Sequence, residues 1–255
     1  MQNYYNLLRF FIQFSYLGKA YHGWQNQPNA ITVQEVLENA MSKLLRQNIA
    51  LVGAGRTDTG VHAKEMFAHF DVADELDTDD LVYRLNSFLP KDIAVRNVIK
   101  VVPDAHARFH ALSRTYKYQI VTTKNPFYED LAHLVLQDLD VVQMNKAADF
   151  LIGKRDFECF SKSNTDVFTN ICDLQDAQWL QENEVLSFTI TADRFLRNMV
   201  RAIVGTLLNV GTGKYAADYV NTILKSKDRA MAGASVPAKG LYLTSIKYPN
   251  EIFNG

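Results

Sequence analysis

The hydrophobic spacing changes once between Leu8 and Leu45, and that change constrains the fold more than any other feature of the chain. Leu8, Phe10, Ile12, Phe14 and Tyr16 occupy alternate positions against Leu7, Arg9, Phe11, Gln13 and Ser15, the pattern of a strand with one strongly apolar face. Val33, Val36, Leu37, Ala40, Met41, Leu44 and Leu45 then recur at helical spacing for about four turns. Ahead of them, Thr32-Val33-Gln34-Glu35 is a capping box: the Thr32 hydroxyl accepts from an orphan amide and Glu35 reaches back. The same alternation of periods returns downstream. Short strands are expected at residues 50–53 and 66–72, and a helix from Thr78 or Asp79 to before Pro90. Strands follow at residues 93–102 and 114–121, and a helix opens at Asp140 and runs through Ile152. A hairpin is expected from residues 172–180 and 184–191, then a long helix over residues 195–210, another over 215–226, and a final strand at 241–248. Mixed periods of this kind predict an α+β fold with antiparallel pairs.

The 255 residues, 47% apolar and 22% charged, can bury a large core, which excludes disordered, collagenous and disulfide-scaffold classes. The two cysteines, Cys159 and Cys172, cannot staple so long a chain and read as buried apolar residues. Residues 1–9 lack the basic, apolar and small-residue regions of a signal peptide, and no run nears the ~18 apolar residues of a membrane span. A cytoplasmic protein without membrane partners is expected. A net charge of −1 argues against nucleic acid held by bulk positive charge. The charge is nevertheless sorted. Residues 194–239 carry eight Lys and Arg against Asp218 and Asp228, whereas residues 71–80 carry six acids and no base. That sorting predicts a positive cleft against an acidic exterior, which readmits a nucleic acid partner.

Several motifs fail on inspection. Gly53-Ala54-Gly55-Arg56-Thr57-Asp58 opens like a dinucleotide loop but places Asp58 where a third glycine is needed. Gly213-Lys214 lacks the earlier glycine and the magnesium-binding hydroxyl of a phosphate loop. His62 and His69 have no partners at ligand spacing, so no metal and no nucleotide cofactor are expected. Three stretches remain. Asp58 lies between Arg56 and two threonines in a glycine-containing loop, although aspartate also caps turns. Arg114, Tyr116 and Tyr118 share a strand face, although tyrosine also favours strands as such. Arg194, Arg197 and Arg201, at i, i+3 and i+7, share one helical face, and the face lacks the acidic partners usual on a solvated one.

GAGRTDTGVHA (residues 53–63), YHGWQNQPNAITVQ (21–34), ARFHALSRTYKY (107–118), FLRNMVRAIVGTLLNVGTGK (195–214) and PAKGLYL (237–243) together resemble the tRNA pseudouridine synthase A family, from about Phe10 to Pro249. The resemblance implies the pseudouridine synthase fold: two similar α+β halves sharing a mixed, mainly antiparallel sheet with a central cleft. Residues 1–110 would carry the catalytic loop, and residues 111–255 the basic helix and base-packing tail. It implies isomerisation of uridine to pseudouridine at positions 38, 39 and 40 of the tRNA anticodon stem-loop, by a cofactor-free homodimer. By the same resemblance Asp58 matches the catalytic aspartate, Arg56 the arginine that holds the target nucleotide out of the stack, and Tyr116 the active-site tyrosine. Arg201 matches the basic residue paired with the aspartate, and Leu241 the apolar residue packed on the flipped base. Arg194, Arg197, His22 and Gln25 are expected to contact RNA. Leu17, Thr59 and Arg197-Asn198 depart from the common family pattern. Two other readings share parts of this pattern: a pseudouridine synthase acting on another RNA, and a non-catalytic RNA-binding module.

Overall fold

In the computed structural model, which describes residues 7–162 and 168–255, contacts divide the chain into two compact units. One comprises Met1–Leu112 with Leu243–Gly255, the other Ser113–Tyr242. Residues 1–6, part of the amino-terminal segment read above as no leader, lie outside the described residues.

The first unit runs β1 (Leu8–Tyr16), α1 (Val33–Leu45), β2 (Val52–Gly53), β3 (His62–Val72), α2 (Thr78–Phe88) and β4 (Ile93–Val101). Antiparallel β1 is hydrogen-bonded on one side to β3 and on the other to β4, and β2 pairs with β3. Phe10, Ile12, Phe14 and Tyr16 are buried, as the alternation predicts. Phe11, on the opposite face, is buried as well. Its ring meets Phe67 and, from the carboxy-terminal tail, Tyr248 and Phe253, with centroids 5.2–6.3 Å away. A period of two marks a half-buried strand, and here a distant segment covers the second face.

The caps form as local chemistry dictates. Thr32 Oγ1 accepts from Glu35 N at 3.3 Å, and the Asp77 carboxylate accepts from Asp80 N at 3.0 Å, starting α2 at Thr78. The acidic run is consumed largely within the unit. Asp71 takes a two-pronged bond from Arg9 at 2.7 and 2.8 Å, Glu75 pairs with Lys100, and Asp80 with Arg84 one turn on.

The second unit runs β5 (Ser113–Val121), β6 (His133–Leu134), α3 (Val141–Asp149), β7 (Gly153–Asp156), β8 (Ile171–Glu182), β9 (Val185–Ala192), α4 (Met199–Gly211) and α5 (Tyr219–Ser226). β5 pairs with β9, β9 with β8 and β8 with β7, all antiparallel, while β6 lies parallel on β5. The hairpin turns at Asn183, whose φ of 54° suits an asparagine. Buried α4 packs against α3, and α5 against the short turn at Glu158–Phe160 that buries Cys159. Both cysteines are buried, and burial pushes each thiol up to about 12.

Three helix boundaries differ from expectation. α4 begins at Met199, four residues late, because Asn198 adopts a left-handed conformation (φ 66°) that no helix interior accommodates. α5 begins at Tyr219, since the amides of Lys214 and Tyr215 fold back onto Asn209 O. α3 ends at Asp149, ahead of the chain reversal into β7. The chain returns from the second unit to the first within β10 (Leu241–Lys247). The fold class is therefore α+β with predominantly antiparallel strands, as expected. No helix among the described residues is long and apolar enough to cross a membrane.

Candidate active site

In the first unit the loop joining β2 to β3 carries Arg56, Thr57 and Asp58. Arg56 is exposed, Thr57 buried and Asp58 half-buried. The loop cannot relax into regular structure because its edges are tied down. Ala54 N donates to Phe67 O at 2.8 Å, and Val61 N donates to Asp58 O at 3.1 Å. The segment between β1 and α1 packs against it. Trp24 N donates to Thr57 O at 3.3 Å, Gly60 N donates to Tyr21 O at 3.4 Å, and Gly18 N donates to His62 Nδ1 at 2.9 Å. Gly23 has φ 89°, and a Cβ there would stand 2.3 Å from Thr57 O, so only glycine fits. His22 and Gln25 flank this contact with exposed side chains. Asn26 and Gln34 bond the Glu38 carboxylate at 2.8 and 2.9 Å, anchoring the segment on α1. Tyr21 donates to Asp92 Oδ1 at 2.6 Å, and burial together with that carboxylate raises its phenol pKa.

In the second unit Tyr116 stands half-buried on β5 opposite Ile190, its ring edge-on to Phe195 at 5.1 Å. Phe195 belongs to the connection from β9 to α4, and that connection holds Arg194 and Arg197. The basic stripe expected on one helical face is thus not a stripe: Arg194 and Arg197 precede α4, and only Arg201 is on it. Arg197 is exposed, and Arg194 and Arg201 are half-buried. Arg201 Nε donates to Val236 O at 2.7 Å, which joins α4 to the stretch before Leu241. Leu241 is buried. Tyr118, two positions along from Tyr116, is fully buried and donates to Pro237 O at 2.9 Å. Burial raises its pKa, an effect that the Arg201 charge opposes.

The expected site residues therefore fall into two sets. His22, Gln25, Arg56 and Asp58 come together in the first unit, and Tyr116, Arg194, Arg197, Arg201 and Leu241 belong to the second. His62 and His69 both accept backbone hydrogen bonds, from Gly18 and Ala107, and so have structural work. Among the described residues no three His, Cys, Asp or Glu side chains converge on a point that would hold a metal ion.

A model of the tRNA pseudouridine synthase family matches residues 12–110 and 147–249. The chain belongs to that family. It is 51% identical over 248 residues to a tRNA pseudouridine synthase A of Parabacteroides distasonis, covering 96% of this chain and 98% of the relative. It is 52% identical over 247 residues to one of Bacteroides fragilis, covering 96% and 98%. With one of Porphyromonas gingivalis the identity is 49% over 251 residues, covering 97% and 100%. Family membership makes the chain an isomerase that forms pseudouridine in tRNA. The matched stretches include the Asp58 loop, the connection carrying Arg194 and Arg197, α4 and Leu241, while Tyr116 lies between them.

Sequence reasoning missed several residues in the surroundings of these sets. Tyr16 reads as a core position of β1, yet its hydroxyl is 2.8 Å from Thr57 Oγ1. Ser235 and Arg229 also went unmarked, although Asn198 donates to Ser235 Oγ at 2.5 Å and Arg229 to the same oxygen at 2.9 Å. The Asn198–Ser235 bond has no local signal, because it joins residues 37 positions apart.

Proposed function

We propose that this chain isomerises uridine to pseudouridine at positions 38, 39 and 40 of the tRNA anticodon stem-loop, with Asp58 as nucleophile. The observation that carries the reading is the loop itself: a half-buried aspartate two residues after an exposed arginine, with tied backbone on either side. The reaction breaks the bond from uracil N1 to ribose C1′, turns the base, and joins C5 to C1′; C5 loses its proton and N1 gains one, so the composition is unchanged. It involves no net redox change, so no cofactor is required. The attacking carboxylate must be ionised.

The target uridine is stacked beside a stem and must be extruded, at a cost of a few kcal/mol. Arg56 fills the space it leaves and contacts phosphates. Tyr116 offers its ring to the turned base and Leu241 an apolar contact, while Arg201 takes the role of the family's basic residue. Arg194, Arg197, His22 and Gln25 hold backbone and unstacked bases. Phosphate and shape recognition allow an enzyme to accept neighbouring positions. The residue range 1–110 then supplies the nucleophile and 111–255 the base-contacting groups, in a cytoplasmic homodimer.

Tritium release from C5-labelled tRNA tests this reading. Asp58→Asn should abolish release while tRNA affinity stays within a few-fold, whereas retained turnover removes Asp58 from its role. Mapping the modified positions tests the specificity, since modification elsewhere favours a different RNA site. Sedimentation giving the mass of a single chain would remove the homodimer.

A further inference from the structure

A carboxylate on a loop has no helix or strand beneath it, yet the reaction asks for sub-ångström placement against a sugar or base carbon. Its placement must come from the neighbours of the loop. In the first unit those neighbours are concentrated in one short stretch, residues 16–24. The pairing of β1 with β3 shifts register between Phe14 and Tyr16, the extra residue lying on β3, so Tyr16 stays on the buried face of β1 at its very end. Tyr16 is 3% exposed and packs in stacked fashion on Phe14 at 6.1 Å, yet its hydroxyl oxygen meets Thr57 Oγ1 at 2.8 Å. A phenylalanine would fill the same core position. Burying a hydroxyl carries a cost unless it is bonded, so an oxygen at this depth needs a task.

We propose that Tyr16 is a positioning residue for pseudouridine formation, its hydroxyl locking the Thr57 side chain and thereby the backbone from which Asp58 projects. The proposal rests on the reading of Asp58 as nucleophile. Thr57 is held at two points: its hydroxyl by Tyr16 and its carbonyl by Trp24 N. Gly23 closes the third side, where a Cβ would lie 3.2 Å from Asp58 C. Beyond Asp58, its own carbonyl accepts from Val61 N, and Gly60 N is tied to Tyr21, which Asp92 anchors in turn. The main-chain bonds fix the path of the loop. The Tyr16–Thr57 bond joins side chains, sets the Thr57 rotamer, and acts on the residue immediately before the nucleophile.

The test is single-turnover tritium release with saturating enzyme, read beside KM for tRNA and Tm. Tyr16→Phe should lower the rate on the order of 10-fold, with KM within about twofold and Tm lower by no more than about 4 °C. Thr57→Val should match it, and Thr57→Ser, which keeps the hydroxyl, should restore near-native rate. The double variant Tyr16→Phe/Thr57→Val should be no slower than either single, because both remove one bond. A native rate for Tyr16→Phe, a loss confined to KM, an additive double variant, or a Thr57→Ser enzyme as slow as Thr57→Val would each overturn the proposal. Asp58→Asn is measured alongside. If it turns over, the nucleophile assignment fails whatever Tyr16 does; if it is dead while Tyr16→Phe is native, the positioning role alone fails.

Discussion

His69 illustrates how a single residue ties the first unit to pH. It is buried on β3, accepts from Ala107 N at 3.2 Å, and meets the ring of His106 at 4.6 Å. Burial, then the nearby Arg9 charge and His106, lower its pKa to about 4. His106 shifts in the same direction, again through burial first and Arg9 second. In the unfolded chain His69 takes up a proton near pH 6.5, its ordinary value, but in the folded protein not until about pH 4. Acid therefore favours unfolding. The stability is complete above pH 6.5 and is lost as the pH falls toward 4. Urea unfolding at pH 7 and at pH 4.5 should show the native protein losing more stability than His69→Gln, by about 2–3 kcal/mol. Equal losses in the two proteins would mean that His69 is not the sensor. The same residue scale explains why Asp58 is readable in sequence and Tyr16 is not. An aspartate in a glycine-containing loop declares itself by type, whereas a tyrosine on a strand is ordinary until its oxygen is placed.

At the scale of the element, α4 is held by direct backbone contact with the segment around Gly233 and Ala234. A Cβ on Gly205 would lie 1.8 Å from Ala234 O, and one on Gly233 would lie 2.5 Å from Gly205 C. The two backbones are in direct contact there, and Thr206 Oγ1 accepts from Gly233 N at 2.8 Å while donating to Ala202 O at 2.9 Å. Arg201 and Asn198 fasten the following residues, Val236 and Ser235, so the stretch leading to Leu241 follows α4 throughout. Gly205→Ala should therefore destabilise the protein by about 3 kcal/mol or more, seen as a fall in the urea midpoint. Gly55→Ala, whose Cβ would meet nothing within 4 Å, is the control and should leave the midpoint nearly unchanged. A tolerated Gly205→Ala would mean that the segment yields. The late start of α4 belongs to this scale too. Periodicity detected the buried helix but not its first turn, because Leu196 and Met199 are both buried whichever way the connection runs.

Across the whole molecule, the sorting of charge has two parts. Some of the cations in residues 194–239 serve the fold: Lys227 pairs with Asp156 at 2.7 Å, Arg229 with Gly233 O at 3.1 Å, and Lys239 with Glu129. Arg197 is exposed in a connection, the placement expected of a phosphate contact. Arg197→Ala should weaken tRNA binding and reduce the dependence of log affinity on log salt by about one unit, measured by filter binding from low to moderate salt. An unchanged slope would take Arg197 off the RNA. What the sequence determined by itself was local: the α+β class, the cap at Thr32, the strand periods and the set of motifs that marks the family. Each depends on neighbours within a few positions, where side-chain type and spacing act directly. Only tertiary structure decided the second buried face of β1, the break in the arginine stripe at Asn198, the pKa of His69 and the bond from Tyr16 to Thr57. These join residues tens to hundreds of positions apart, or depend on a backbone conformation and a burial that packing imposes.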